Sequence, residues 1–234
     1  MTTYVLVHGA WGGAHTWRSV RPLLHAAGHA VFTPALTGIG ERVHLISPQI
    51  GLTTHVDDVV NQVVYEDLDD LVLLGFSYGG MVVTGALTHI ADRVRELVYL
   101  DAFVPTDGQS VADIGGLPHD GPPGVDPSWS IPPSPRSFDD PAEATFGEPR
   151  RTAQPVRTFT EPVRLAGPLE EIGVGLTYVK ATRDERTSDR PDPFWEAADR
   201  ARDHPAWRYH EIDSNHMVPQ NRPAELAEVL FSLS

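Results

Sequence analysis

The segment Gly75-Phe76-Ser77-Tyr78-Gly79 places a serine between two glycines in the spacing G-x-S-x-G. A serine hydroxyl is a weak nucleophile. It becomes effective when a base takes its proton and fixed donors meet the negative charge that its attack creates. The flanks supply suitable geometry. Leu71-Val72-Leu73-Leu74 reads as an apolar strand leading in, and Met81-Val82-Val83-Thr84-Gly85-Ala86-Leu87 as a packed helix leading out. That strand–turn–helix is a nucleophile elbow, with the serine on a strained turn and small residues at 75 and 79 allowing close approach. G-x-S-x-G also arises by chance in glycine-rich chains, so the pattern carries weight only in this context.

Val7-His8-Gly9-Ala10-Trp11-Gly12-Gly13 follows the first apolar run directly. A glycine-rich loop there, with the residue after the nucleophile, can present backbone N–H groups to a carbonyl oxygen that becomes an oxyanion. The expected donors are Ala10 and Tyr78.

The base must be chosen from 11 histidines. Elbow hydrolases order their triad as serine, acid, histidine, with the histidine after the last strand. His216, in Asp213-Ser214-Asn215-His216-Met217, satisfies that order. His8 belongs to the oxyanion turn, His204 and His210 precede or lie within the last strand, and His25, His29, His55 and His89 fall on helices or turns. His44 and His119 are the remaining candidates for a pocket border. The acid should follow the next-to-last strand, and Asp184 lies three residues beyond Gly175–Ala181. Asp184 is the expected acid. Glu185, Asp189 and Asp192 are its neighbours, and Asp101, ending the run Leu97–Leu100, competes with it.

The elements that must position these residues alternate along the chain. Apolar runs at Tyr4–Val7, Ala30–Phe32, Leu71–Phe76, Leu97–Leu100, Gly175–Val179 and Trp207–Ile212 are mostly continuous, as in parallel strands buried on both faces. Val56, Val59, Val60, Val63 and Val64 share a helical face behind a Thr54–Asp57 capping box, and Leu226, Val229, Leu230 and Leu233 repeat that spacing after Asn221 and Pro223. The alternation predicts a doubly wound α/β sheet. Between Pro105 and Pro168 lie 13 of the 21 prolines, with Trp129, Phe138, Phe146 and Phe159 and no clear strand. This stretch reads as an inserted lid of short helices, dividing the chain into core 1–104, lid 105–168 and core 169–234.

The chain has 234 residues, enough for one domain with a sizeable core. With no cysteine, thiolate nucleophiles and disulfides are excluded. A net charge of −14, with Lys180 the only lysine, disfavours nucleic acid and anionic membranes. No basic leader or uninterrupted apolar span is present, so a cytoplasmic protein is expected. No metal-ligand spacing, phosphate loop or dinucleotide fingerprint occurs, and no cofactor is expected. Oligomeric state stays open, a homodimer being one option.

His8-Gly9-Ala10-Trp11, Leu36-Thr37-Gly38-Ile39-Gly40-Glu41-Arg42, Gly75-Phe76-Ser77-Tyr78-Gly79-Gly80-Met81, Tyr178-Val179-Lys180-Ala181-Thr182-Arg183-Asp184 and Asn215-His216-Met217 together resemble the plant methylesterase and hydroxynitrile lyase family. They resemble still more its bacterial relatives, which include pyrethroid-hydrolysing carboxylesterases. The resemblance spans nearly the whole chain and is weakest in the lid. It implies an α/β-hydrolase fold of about six mostly parallel strands flanked by helices, with the lid after the fourth strand. It also implies Ser77, Asp184 and His216 as triad and supports Ala10 and Tyr78 as oxyanion donors. In the lyases of that family the position of Gly9 tends to be polar, and in the best known a lysine follows the histidine where this chain has Met217. Gly9 and Met217 are the esterase-like choices. Phe76 departs from the family, whose members often carry histidine there.

The expected activity is thus serine carboxylester hydrolysis of a small to medium, largely apolar ester through an acyl-enzyme. Gly9, Trp11, Phe103, Trp129, Phe138, Phe159 and Met217 are candidates to line the pocket. A lyase or carbon–carbon hydrolase on the same triad, and a receptor on the same fold, are the alternatives.

Overall fold

The computed structural model describes residues 1–117, 129–186 and 192–233. Six strands build the main sheet: β1 (Thr3–Val7), β2 (Ala30–Phe32), β3 (Leu71–Phe76), β4 (Val94–Leu100), β7 (Gly175–Ala181) and β8 (Trp207–Ile212). All pair in parallel, in the order β2-β1-β3-β4-β7-β8. Two more, β5 (Ser130–Ile131) and β6 (Gln154–Pro155), form a small antiparallel ladder apart from it.

The helices are α1 (Arg21–Ala26), α2 (Leu52–Tyr65), α3 (Gly79–Ile90), α4 (Val111–Gly115), α5 (Pro141–Gly147), α6 (Arg157–Thr160), α7 (Pro193–Asp203), α8 (Val218–Asn221) and α9 (Pro223–Phe231). Alternation of side chains along each strand divides the core into two layers. Val5 and Val7 pack with α2, α3 and α7 on one face. Tyr4 and Leu6 pack with α1 and α9 on the other. Both faces of β1 and β3 are therefore buried, which explains why their sequences are apolar without alternation.

Three local expectations change. Helix α2 starts at Leu52 with Gly51 as its cap, and Thr54 Oγ1 accepts from the Gly51 N–H at 3.4 Å, so Thr54 sits at the third helical position and is not the cap. On that helix Val56, Val59 and Val63 are buried but Val64 is exposed, since the apolar stripe is narrower than the valine run. The 105–168 segment does contain strand, the β5–β6 ladder, too short to leave a periodic signature. Residues 118–128 of that segment, with His119, and residue Asp189 lie outside the described residues.

The strand order reverses direction at β1 and β3, and crevices at such switch points, beyond the carboxyl ends of strands, are where ligands bind in open α/β sheets. The Gly9–Ala10 loop leaves β1 there and Ser77 leaves β3.

Candidate active site

Ser77 sits between β3 and α3 with φ +58°, a conformation that costs a non-glycine residue about 1–3 kcal/mol. Burial of β3 offsets it easily: its six residues are all buried, and each large apolar side chain contributes about 1.5–3 kcal/mol. The turn is tight enough that a Cβ on Gly75 would lie 2.5 Å from the Gly79 carbonyl oxygen, which requires glycine. Backbone bonds to the next strand fix the elbow: Ser77 N–H donates to Leu100 O, and Phe103 N–H to Ser77 O, each at 3.2 Å.

His216 lies in the loop after β8. Its Nε2 is 2.9 Å from Ser77 Oγ, and its Nδ1 is 2.7 Å from Asp101 Oδ2. An ionised carboxylate accepts only, so Nδ1 carries the proton and donates to Asp101, leaving Nε2 to accept from the serine hydroxyl. The imidazole is held between two rings. Phe194 stacks on it at 5.0 Å and 8°, and Phe76 lies at 4.9 Å and 32°.

The acid at Nδ1 is thus Asp101, and the expectation that Asp184 occupies that place is corrected. Asp184 Oδ2 accepts instead from the backbone N–H of His216 at 2.8 Å, holding the loop and leaving the ring nitrogen alone. The reason lies in the sheet. Strand β4 is adjacent to β3, and Asp101 follows it immediately, with φ +41°. Asp184 follows β7, one strand further from the serine.

The other oxygen of Asp101, Oδ1, accepts from Lys180 Nζ at 2.6 Å, in an ion pair that is 2% exposed on each side. Lys180 also donates to Ala181 O at 2.7 Å and lies 4.5 Å from the Trp195 ring centre. Burial alone would raise the Asp101 carboxyl. The His216 hydrogen bond, with the charges of His216 and Lys180, outweighs it and holds the group below the usual carboxylate range.

The loop after β1, expected to carry an oxyanion donor, is fixed by groups the sequence placed only in outline. His8 Nδ1–H donates to Gly9 O at 2.9 Å, and its Nε2 accepts from the Leu36 N–H at 3.2 Å. A Cβ on Gly9 would meet Ser77 Cβ at 2.9 Å, so glycine keeps that space open. Among the described residues the backbone N–H groups of Ala10 and Tyr78 donate to no protein acceptor, which leaves both for a ligand. The Tyr78 side chain points away, its hydroxyl 2.9 Å from His55 Nδ1, while His55 Nε2–H donates to Thr37 O at 2.8 Å.

Burial drives both His8 and His55 down to about 4, against smaller opposition from their carbonyl hydrogen bonds. The unfolded chain protonates histidine near pH 6.5. Between those values the unfolded state binds more protons, so stability is complete above about pH 6.5 and falls as pH drops towards 4, by about 3 kcal/mol per histidine. Urea midpoints should therefore fall across that window, and His55→Gln should flatten the slope. A midpoint that is level from pH 6.5 to 4 would contradict these assignments.

A cavity of about 330 Å³ opens beside His216, walled by Asp101, Phe103, Lys180, Phe194 and Trp195. A smaller space of about 20 Å³, bounded by Gly9, Ala10, Ser77 and Met217, lies over the serine. His216 and Arg136 border both. Of the expected lining residues, Gly9, Phe103 and Met217 face these spaces. Trp11 and Phe159 do not. Phe159 is buried against Trp11 and Tyr78, and Trp11 ties the loop after β1 to the 105–168 segment through Gln154 Oε1 and Ile131 O, each at 3.0 Å. Phe138 borders a separate small space beside Met217, and Trp129 is 43% exposed. His44 is exposed and borders neither cavity. Phe194, Trp195 and Arg136 had no sequence signal beyond their type. Among the described residues no group of histidines and carboxylates is placed to hold a metal, and no helix is long and apolar enough to cross a membrane.

Comparison with known proteins identifies the family. The profile of the alpha/beta hydrolase family matches residues 4–229, and the chain belongs to that family. Within it, the chain is similar to a carbendazim-hydrolysing esterase of Nocardioides sp. (strain SG-4G), 36% identical over the full length of both proteins. An α-hydroxynitrile lyase of Arabidopsis thaliana is 32% identical over 108 residues, covering 44% of this chain and 40% of the plant protein. Among solved structures, an extracellular α/β-hydrolase from a Paenibacillus species superposes with a TM-score of 0.78 at 25% identity, covering 99% of this chain and 98% of its own.

Proposed function

We propose that this protein is a serine carboxylesterase acting on small to medium esters with a largely apolar body. The observation that carries this reading is the continuous path from Ser77 Oγ through His216 to Asp101, with contacts of 2.9 and 2.7 Å. His216 Nε2 takes the hydroxyl proton as Ser77 Oγ bonds to the ester carbonyl carbon. The N–H groups of Ala10 and Tyr78 receive the oxyanion. Collapse breaks the carbon–oxygen bond to the alcohol, which leaves with the proton from His216. Water then repeats the sequence on the acyl-enzyme and regenerates Ser77.

Asp101 holds the imidazole in the tautomer that can accept from serine and stabilises its cation. Lys180 and the Ala181 N–H, 3.4 Å from Asp101 Oδ1, hold Asp101 in turn. Asp184 acts on the backbone of the histidine loop. The Nocardioides esterase supports ester hydrolysis as the reaction class. Gly9 and Met217 support it over cyanohydrin cleavage, because neither supplies a polar group for the cyanohydrin hydroxyl or a charge for departing cyanide.

The test is multiple-turnover hydrolysis of p-nitrophenyl esters from acetate to decanoate, with mandelonitrile cleavage in parallel. Turnover that peaks at short to medium chains, with no cyanide released, is expected. Cyanide release exceeding ester hydrolysis would replace this reading with a lyase.

A further inference from the structure

Arg136 and Arg151 both come from the 105–168 segment and meet at the space over Ser77. This is unexpected in a chain of net charge −14, where arginines such as Arg18, Arg183, Arg200 and Arg208 each pair with a carboxylate. Among the described residues neither of these two does. The Arg136 backbone N–H donates to Glu148 Oε1 at 3.1 Å, but its guanidinium donates to no protein acceptor there. Arg151 gives one Nη2 bond, to Ser134 O at 3.0 Å, and faces the Trp11 ring at 6.0 Å. Its Nε is fully buried with no partner.

The two guanidiniums also work against each other. Burial, and then the charge of Arg136, bring Arg151 down to about 10, so both remain cations at neutral pH. Two like charges, partly desolvated and with no carboxylate at ion-pair distance among the described residues, raise the energy of the empty site, a cost that the more distant charges of Asp184 and Glu148 offset in part. A bound anion would relieve both costs, since guanidinium recognises a carboxylate through paired N–H donors. The surrounding acids set how much charge fits. Asp101 is paired with Lys180, but Asp184 and Glu185 also border the larger cavity, and the charges of Asp184 and Glu148 act on Arg136. A dianion would meet more repulsion from those carboxylates than a single negative charge placed against the arginines.

We propose that Arg136, with Arg151 beside it, binds a carboxylate carried by the substrate, so that the preferred substrates are monoanionic esters such as half-esters of short dicarboxylic acids. The proposal rests on the esterase reading and names its substrate class. Because Arg136 borders both spaces, an ester carbonyl over Ser77 and a carboxylate a few bonds away can be held together.

The test compares p-nitrophenyl hydrogen glutarate with p-nitrophenyl pentanoate, which match in chain length and differ in the terminal carboxylate. The readout is the ratio of their kcat/KM values within each enzyme, so a general loss of activity or fold cancels. In the wild type the ratio should favour the half-ester by at least about tenfold at low salt, as for a charge-assisted hydrogen-bonded pair, and shrink as salt is added. In Arg136→Gln it should fall at least about tenfold through KM, and Arg136→Lys should restore part of it. A wild-type ratio at or below one, or a ratio unchanged in Arg136→Gln, would overturn the proposal and leave the esterase reading standing. No turnover of either ester would remove the esterase reading and the proposal with it.

Discussion

Asp101→Asn is expected to lower kcat on p-nitrophenyl butyrate by about ten-thousand-fold, the cost of presenting the wrong imidazole tautomer to the nucleophile. Asparagine keeps the shape of the side chain but can turn an amide N–H towards Nδ1. The ring would then carry its proton on Nε2, where it can no longer accept from Ser77. Asp184→Asn is the matched comparison. Its amide oxygen can still accept from the His216 N–H, so only the extra strength of a charged acceptor is lost, and a decrease of about tenfold or less is expected. Reversed magnitudes would return the acid's role to Asp184.

The first substitution also leaves the buried Lys180 ammonium without its carboxylate, which can cost about 3–5 kcal/mol of stability. The double variant Asp101→Asn/Lys180→Met removes that charge. Thermal unfolding should show stability recovered in the double variant while activity stays low. Recovery of both together would mean that the single variant failed by unfolding.

Ser77→Ala carries the second large effect, a loss of kcat approaching about a million-fold, with the residue held to whatever the oxyanion donors and binding alone can do. Stability should change by no more than about 1 kcal/mol, because alanine and serine meet the same strain at φ +58° and the hydroxyl's hydrogen bond to His216 Nε2 is what is lost. Activity within tenfold of wild type would show that another group performs the attack.

What was legible in the sequence was what is encoded locally. The elbow is a contiguous strand, turn and helix, so Ser77 could be named from its neighbours. His216 follows from chain order, and Ala10 from a glycine loop directly after a strand. The acid was ambiguous because two aspartates each follow a strand, and the choice depends on which strand lies beside β3. That is a matter of sheet order, and Asp101 and Ser77 are brought together by strand pairing that no window of sequence contains. Phe194 stacks on His216 from the first turn of α7, away from the proline-rich segment that holds Trp129, Phe138 and Phe159 of the expected lining residues. Phe159, in that segment, packs against Trp11, which anchors the loop after β1. Arg136 was silent for a related reason: in a segment with neither helical nor strand period, no pattern tells which way a side chain faces.

The proposed esterase mechanism requires a covalent acyl intermediate on Ser77. Acid-quenching the enzyme during steady-state turnover of p-nitrophenyl butyrate, followed by peptide mass spectrometry, tests it most directly. The account predicts a butyryl group on the peptide containing Ser77, absent from Ser77→Ala and accumulating in the first turnover. Steady ester hydrolysis with Ser77 unmodified at every quench time, or with the acyl group on another residue, would contradict it.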